Sequence, residues 1–296
     1  MRLFVVTLLA PEPSVAAHIS ASLNHRRDAF ISVENLTPAE AASRLEAAGI
    51  QLLLWVSEPG EGLRTLSSQQ PVPVTTHHLA VPATTGADGV HYFSLDRATA
   101  SPLPSAARSI SERALILPHH YQVNSHALGL GPIGSEQLPN EPPAWRWPGT
   151  SIANFGQTIR LDPTLLTTLR HVLLHTNARL WLTAPGPLPR LRAELAALGI
   201  HQRTRCIISP RLGWKAYAAR AAAATLYLDT LHYNSHTTTV DVLWAGLPSV
   251  TASGGAFTAR VGAAVSRAVG IPETATLSLK QYSQAAFALV GSGGGG

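Results

Sequence analysis

Short apolar runs alternate with capped helical segments over residues 151–269, and this alternation constrains the fold more than any other feature of the chain. Runs that are apolar throughout are typical of parallel strands covered by helices on both faces. The sequence therefore predicts an α/β fold with a doubly wound parallel sheet in this part of the chain. The predicted strands are residues 152–155, 179–183, 206–208, 226–228 and 249–251.

Capping residues mark the predicted helices between these strands. Asp162 and Pro163 begin a helix whose apolar residues, spaced three or four apart, form one face. Gly199 and Gly246 follow two further helices, at the position where a left-handed residue is favoured. The apolar face of the first helix is Leu165, Leu166, Leu169, Val172 and Leu173, and the later helices are residues 188–198, 213–224, 239–245 and 257–269.

The first part of the chain shows weaker signals of the same kind. Residues 37–40 (TPAE) have the form of a capping box with proline at the first helical position, and Gly49 would end that helix. Residues 50–56 then predict a buried strand. Residues 1–10 fit either a buried strand, which we favour because the run is short and Pro11 follows it, or the core of a signal peptide.

Regularity fails over residues 97–150, where prolines and glycines repeatedly interrupt the pattern. Such a stretch indicates a linker or a loop-rich crossing between two lobes. The sequence therefore predicts two lobes and a flexible Gly-rich tail. The predicted boundaries are 1–117 for the N-terminal lobe, 118–150 for the Pro-rich interlobe segment, 151–290 for the C-terminal lobe and 291–296 for the tail.

Composition excludes several classes of protein. Charged residues make up 13% of the chain and the formal net charge of +5 is scattered, so no basic arm indicates a nucleic-acid binder. No run approaches the ~20 apolar residues of a membrane span, and we predict neither nucleic-acid nor membrane partners. Cys206 is the only cysteine, which excludes an intrachain disulfide and fits a reducing compartment, so we expect a cytoplasmic or nuclear protein.

Polar residues follow the predicted strand at residues 226–228. In doubly wound sheets, ligands bind beyond the carboxyl ends of the strands, where loops lead into helix N-termini. The turn His236-Thr237-Thr238 precedes a helix, whose start offers unpaired N–H groups and a partial positive charge to a phosphate. Asp241 lies one turn further and would accept from a ribose hydroxyl.

Other interpretations of this segment stay open. Residues 238–241 (TTVD) have the form of a capping box, which would do no more than begin the helix. His232 and His236 have the spacing of metal ligands on one helix face, but the residues between them are poor helix formers and no third ligand is evident, so we predict no metal site. Trp181 and Trp244 lie in apolar runs and are predicted to be core residues.

One long, ordered segment resembles a known family. Residues 228–248 (LDTLHYNSHTTTVDVLWAGLP) are similar to the signature of the O-GlcNAc transferase family, which includes the SPINDLY-type protein O-fucosyltransferases. The resemblance implies a GT-B type fold, in which two Rossmann-like lobes hold a nucleotide sugar mostly against the C-terminal lobe. It continues in residues 250–251, 254, 259–263, 155–163 and 117–124, and more weakly in 71–74 and 82–86.

The resemblance also implies roles for individual residues. His236, Thr237 and Thr238 would contact the diphosphate, Asp241 would contact the ribose, and Gln157 would lie near the diphosphate. Family members transfer the sugar to Ser or Thr hydroxyls of acceptor proteins, with inversion and without a metal or other cofactor. Stabilisation of the departing diphosphate would therefore be a large catalytic contribution.

The chain departs from the family pattern at three positions of the C-terminal lobe. Arg160 stands where the family has a phosphate-binding Lys, and we predict a catalytic role for it because Arg keeps the charge and grips phosphate in a bidentate way. Trp214 stands at a ribose-contacting Lys, and Lys215, one place on, would point about 100° away on a helix. Tyr217 replaces a base-stacking His and keeps an aromatic face for the nucleobase.

The N-terminal lobe matches the family less well. The resemblance implies an incomplete lobe that begins after the family's first strand and His-bearing loop, so the catalytic His has no counterpart, and Gln51 stands where relatives often have His or Asp. The expected function is a protein O-glycosyltransferase that transfers GlcNAc from UDP-GlcNAc to Ser and Thr hydroxyls. The alternatives are a non-catalytic nucleotide-binding pseudoenzyme or gene fragment, and a GDP-fucose-dependent protein O-fucosyltransferase.

Overall fold

A computed structural model gives the fold as two compact units. The first comprises Met1–Leu95 and Ala107–Ile116, and the second comprises Asp96–Ala106 and Leu117–Gly296. Most of the Pro-rich segment predicted at 118–150 lies outside the described residues, and the predicted domain boundaries stay predictions. The structure describes residues 4–7, 29–33, 35–56, 60–79, 82–100, 110–124, 126, 149–184, 188–201 and 204–292.

The described part of the first unit contains six strands and two helices. Its elements are β1 (Phe4–Thr7), β2 (Ala29–Ser32), α1 (Pro38–Ala47), β3 (Leu52–Trp55), α2 (Glu61–Ser68), β4 (Val74–His77), β5 (Tyr92–Asp96) and β6 (Arg113–Leu117). Strands β1 and β2 pair in parallel, and the other four form a second sheet in the order β3-β4-β5-β6. The start of the chain thus contains a strand, as the sequence predicts, and β6 is a strand that the prolines around it concealed.

Two local predictions for this unit have different outcomes. The capping box of α1 is confirmed, because Thr37 Oγ1 accepts from the Glu40 N–H and the Glu40 carboxylate accepts from the Thr37 N–H. The prediction that residues 50–56 form a buried strand is wrong for alternate residues, since Leu52 is 57% exposed and Leu54 is 51% exposed. Strand β3 lies at the edge of its sheet, and only its other side chains reach the core.

The second unit contains a six-stranded sheet. Its elements are β7 (Ser151–Asn154), α3 (Pro163–Leu174), β8 (Arg179–Ala184), α4 (Pro189–Ala197), β9 (Cys206–Pro210), α5 (Trp214–Ala222), β10 (Leu226–Leu228), α6 (His236–Trp244), β11 (Ser249–Ala252), α7 (Val261–Ala268), β12 (Ala275–Thr276) and α8 (Leu279–Ser292). The strand order is β12-β11-β10-β7-β8-β9, and all the pairings are parallel.

Apolar side chains cover both faces of this sheet, which confirms the doubly wound arrangement. Consecutive residues of one strand enter opposite clusters: Leu180 packs with α3, α4 and α8, whereas Trp181 packs with α5 and α6. The predicted apolar face of α3 is buried at all five positions. Helix α8 was not predicted, and it extends to Ser292, two residues into the segment predicted as a tail.

The strand order places a switch point in the middle of the sheet. The chain runs outward from β7 through β8 to β9, then returns to pair β10 with the other side of β7. The loops that follow β7 and β10 therefore leave the sheet side by side and diverge to opposite faces. A crevice forms where such loops separate, and it is the usual ligand site of doubly wound sheets.

Candidate functional site

A cavity of about 410 Å³ lies at the carboxyl ends of the strands in the second unit. This volume is within the range of small-molecule sites. Four of the seven predicted site residues line it: Gln157, Tyr217, Thr238 and Asp241. The remaining lining residues are Phe155, Thr183, Arg211, Leu212 and Trp214.

Helix α6 begins three residues earlier than predicted. Its N-cap is Ser235, and the first helical bond runs from the Thr239 N–H to the Ser235 carbonyl. The capping-box interpretation of residues 238–241 is therefore wrong, because these residues already lie inside the helix. The N–H groups of His236, Thr237 and Thr238 precede the first helical bond and have no partner within the helix. Three backbone donors and the positive end of the helix dipole meet at this turn.

A buried carboxylate holds the loop that leads into α6. Asp229 Oδ1 accepts from the backbone N–H groups of Thr230 and Ser235, both at 2.8 Å, and Oδ2 accepts from the Thr251 hydroxyl at 2.9 Å. Burial raises the pKa of Asp229 to about 6, although these hydrogen bonds favour the ionised form. Asp229 was not predicted as a site residue, and its one signal in the sequence was a carboxylate directly after a buried strand.

The imidazole of His236 faces away from the turn that its backbone forms. Its Nε2 lies 3.0 Å from the Thr258 carbonyl, which can only accept, so Nε2 carries the proton. Burial lowers the pKa of His236 to about 4, and the ring is neutral at pH 7. The ring also stacks on Tyr233, with 4.7 Å between centroids. His236 therefore offers a phosphate its backbone N–H, while its side chain supports the loop.

Arg160 lies against the same loop. It ends a 3-10 turn, Thr158–Arg160, that follows β7. Its guanidinium carbon is 4.0 Å from the centroid of the Tyr233 ring, and Nη1 donates to the Asn234 carbonyl at 2.9 Å. This charge contributes to lowering the pKa of His236, after burial and against the hydrogen bond to Thr258. Arg160 thus adds positive charge beside the start of α6.

Aromatic rings form one wall of the cavity. Tyr217 stacks on Trp214 at 5.7 Å between centroids and 22° between planes, and it meets Phe155 edge-on at 5.9 Å. The hydroxyls of Tyr217 and Thr183 are buried and make no hydrogen bond to the described residues. Burial raises the pKa of Tyr217, so its phenol stays protonated. This wall suits a flat ring with polar edges.

Asp241 has a partner that the sequence did not reveal. Its Oδ1 lies 2.8 Å from Nε2 of His126, a residue 115 positions earlier in the chain. Burial raises the pKa of Asp241, against the effect of the hydrogen bond from His126. His126 follows the interlobe motif at 117–124 by two positions, but nothing in the local pattern links it to α6.

The structure gives positions for four other residues that the sequence singled out, Thr237, His232, Trp181 and Trp244. Thr237 is exposed, and its hydroxyl accepts from Gln122 Nε2 at 3.4 Å. His232 precedes α6 and does not share a helix face with His236. The part of the chain that the structure describes holds no cluster of three or more His, Cys, Asp or Glu residues arranged for a metal ion. Trp181 is buried as predicted, but Trp244 is 38% exposed, so its assignment to the core is wrong.

No helix within the described ranges is long and apolar enough to cross a membrane.

Two curated proteins that are similar to this chain in sequence are named for the same activity. The chain is 30% identical over 271 residues to the probable UDP-N-acetylglucosamine–peptide N-acetylglucosaminyltransferase SEC of Arabidopsis thaliana, covering 88% of this chain and 27% of that protein. It is 29% identical over 140 residues to the UDP-N-acetylglucosamine–peptide N-acetylglucosaminyltransferase of Caenorhabditis elegans, covering 46% of this chain and 12% of that protein. The chain thus spans about a quarter or less of the length of these relatives.

Solved structures support the fold class. A mutant of the Thermobaculum terrenum O-GlcNAc transferase matches with a TM-score of 0.79 at 23% identity, over 98% of this chain and 54% of that one. A putative UDP-N-acetylglucosamine 2-epimerase from Listeria monocytogenes matches with a TM-score of 0.52 at 13% identity, over 99% of this chain and 89% of that one. The predicted α/β fold of GT-B type is confirmed. The model of glycosyl transferase family 41 matches residues 145–293, half of the chain, and the chain belongs to that family.

Proposed function

We propose that the chain binds a uridine diphosphate sugar in the cavity of its second unit and transfers GlcNAc to Ser or Thr hydroxyls of acceptor proteins. The observation that carries this proposal is the start of α6, where three backbone N–H groups precede the first helical bond beside a cavity lined by Thr238 and Asp241. The named activity of the Arabidopsis and C. elegans relatives supports the choice of donor and acceptor.

The cavity offers complementary groups for the nucleobase, the ribose and the diphosphate of such a donor. Tyr217 and the neighbouring ring provide an aromatic wall for the nucleobase. Asp241 would accept from a ribose hydroxyl. The N–H groups at residues 236–238 would bind the diphosphate, with Gln157 lining the same space.

The chemistry needs stabilisation of a leaving group. The acceptor oxygen attacks the anomeric carbon from the face opposite the diphosphate, so the configuration inverts. The bond from that carbon to the diphosphate oxygen breaks and its electrons stay on that oxygen, while the proton of the acceptor hydroxyl passes to solvent. Charge grows on the diphosphate in the transition state, where the start of α6 and Arg160 would stabilise it. We propose that this occurs without a metal or other cofactor.

Nucleotide binding is the first test. We expect saturating UDP to raise the melting temperature, because a ligand at 100 times its Kd stabilises the folded state by about 2.7 kcal/mol. The double variant Thr238→Ala with Asp241→Asn should show a much smaller shift, since both side chains line the cavity. The matched control is Thr164→Ala with Glu273→Gln, two exposed positions outside the cavity lining, which should keep the full shift. A melting curve that neither UDP nor GDP moves would contradict the proposed site.

Sugar transfer is the second test. We expect the chain to move label from UDP-GlcNAc to a peptide with Ser and Thr residues, and Arg160→Met to lower kcat by about 10²-fold, the usual loss for one transition-state donor. Mass spectrometry of the peptide and product NMR would report the linkage and the inversion. Label that arrives only from GDP-fucose would identify a protein O-fucosyltransferase. Tight UDP binding without transfer from either donor would identify a non-catalytic nucleotide-binding chain.

A further inference from the structure

His126 is held on both sides of its ring. Asn124 Oδ1 accepts from the backbone N–H of His126 at 3.1 Å, which fixes the amide so that its oxygen faces the histidine. The same oxygen lies 2.7 Å from Nδ1, so Nδ1 carries a proton and donates it. Nε2 is therefore left to share one proton with Asp241 Oδ1, at 2.8 Å, whichever of the two atoms holds it.

Two tryptophans hold the plane of this ring. Trp214 meets it edge-on, with 4.7 Å between centroids and 81° between planes, and Trp244 lies at 5.5 Å and 49°. The ring is buried. Rotation of His126 away from Asp241 would break the hydrogen bonds of both ring nitrogens and the contacts with the two indoles, so the imidazole is fixed beside Asp241.

This arrangement gives the two oxygens of Asp241 different roles. Oδ1 is engaged by His126, whereas Oδ2 accepts no hydrogen bond from the described residues. Asp241 lines the cavity, and Oδ2 is its oxygen available to a ligand. A carboxylate held at one oxygen presents the other in one direction, and a ligand must bring a donor to that point.

We propose that His126 is a positioning residue that makes this site selective for ligands with a hydroxyl donor facing Asp241 Oδ2. The inference rests on the proposed function, under which the ligand is a nucleoside diphosphate and the donor belongs to its ribose. His126 contributes no contact to the ligand. It fixes the acceptor, so that the ribose hydroxyl meets an oriented oxygen.

The loss of His126 should therefore change selectivity more than general affinity. Without His126, the carboxylate of Asp241 can rotate, and burial favours its protonated form. The hydrogen bond from the ribose hydroxyl then contributes less to the binding free energy, because binding must also order the carboxylate. A ligand that lacks the ribose hydroxyls does not make this hydrogen bond to Asp241. The affinity for such a ligand should stay nearly unchanged. If His126 only supported the structure, its loss would instead lower the affinity for both ligands alike.

Isothermal titration calorimetry of the full chain with UDP and with 2′,3′-dideoxy-UDP tests the proposal. We expect wild type to prefer UDP by about 10- to 100-fold, the usual range for a hydrogen bond to a charged acceptor. His126→Ala should reduce this ratio to about 3-fold or less, mainly through weaker UDP binding. His126→Gln, whose amide N–H can still donate to Asp241, should keep a larger preference for UDP than His126→Ala does. The exposed control His175→Ala should bind as wild type does.

The outcomes separate this proposal from the one on which it rests. If wild type binds neither nucleotide, the proposed function is wrong and this inference is overturned with it. If wild type prefers UDP and both His126 variants keep that ratio, the nucleotide site stands and the role of His126 is overturned. An equal effect of His126→Ala in the wild-type and Asp241→Asn backgrounds would also overturn it, because a residue that acts through Asp241 must lose its effect when the carboxylate is replaced.

Discussion

Gly262→Ala is expected to lower the free energy of unfolding by about 3 kcal/mol, the upper end of the cost of adding a methyl group to a packed interior. A Cβ at this position would lie 2.5 Å from Asp229 Oδ2, 2.9 Å from Thr251 Cβ, and against Thr251 Oγ1. Both side chains are fully buried and hydrogen-bonded to each other, so neither can yield without breaking that bond. Urea unfolding at neutral pH would measure the change.

The sign of this effect makes the test informative. Gly262 lies inside α7, where alanine is favoured over glycine by about 1 kcal/mol when nothing obstructs its methyl group. An increase in stability would therefore show that α7 does not pack as tightly on Asp229 as the structure indicates. Gly255→Ala is the matched control, because this exposed glycine has no atom within 4 Å of its added Cβ and is outside the left-handed region. It should change stability little.

Asp229→Ala is expected to cost about 2–6 kcal/mol of stability and to weaken UDP binding. The change removes the acceptor of two buried backbone N–H groups, and each unsatisfied donor costs about 1–3 kcal/mol. Asp162→Ala is a matched control, since Asp162 also accepts from two backbone N–H groups but is only half-buried, at the start of α3. The usual cost of such a cap is about 1 kcal/mol, and UDP affinity should not change. Equal effects of both variants on UDP affinity would contradict the role given to Asp229.

The charge of Asp229 should also appear in the pH dependence of stability. Burial raises the pKa of Asp229 in the folded state to about 6, from its ordinary value of 3.8. A carboxyl with a raised pKa costs no stability below its unfolded pKa, and the cost grows as the pH rises through the folded one. Between pH 4 and pH 7, wild type should therefore lose up to about 3 kcal/mol relative to Asp229→Asn, which has no such titration. A relative gain for wild type would mean that the hydrogen bonds outweigh burial.

The sequence predicted those parts of the fold that local residues determine. The capping box at residues 37–40 and the apolar face of α3 were right, because the spacing of a few neighbouring residues fixes both. The start of α6 was wrong although its local signal was as strong. Tertiary contacts determine that start, since Asp229 binds the Ser235 N–H and the Thr258 carbonyl accepts from both the Asn234 N–H and the His236 ring.

The candidate site was predicted in its composition and only partly in its geometry. Residues 236–238 and Asp241 follow a strand end, which is where doubly wound sheets bind ligands, so the pattern of the chain was sufficient to name them as candidates. The pairing of Asp241 with His126 joins segments 115 residues apart, and no periodicity reports such a contact. The exposure of Trp244 was also missed, because an apolar run does not show which of its side chains other elements will cover.

Two different helices contribute to the walls of the cavity. Under the proposed function, base preference and diphosphate binding therefore depend on different helices and can be altered independently. The rings of Trp214 and Tyr217 belong to α5, whereas the N–H groups that we propose for the diphosphate are backbone atoms of α6, whose preceding loop is held by Asp229. Side chains on α5 can be exchanged without touching the hydrogen bonds that shape the turn. Under the proposed function, libraries that aim to change base preference should therefore vary α5 and leave residues 229–238 intact, so that every variant keeps the proposed diphosphate-binding turn.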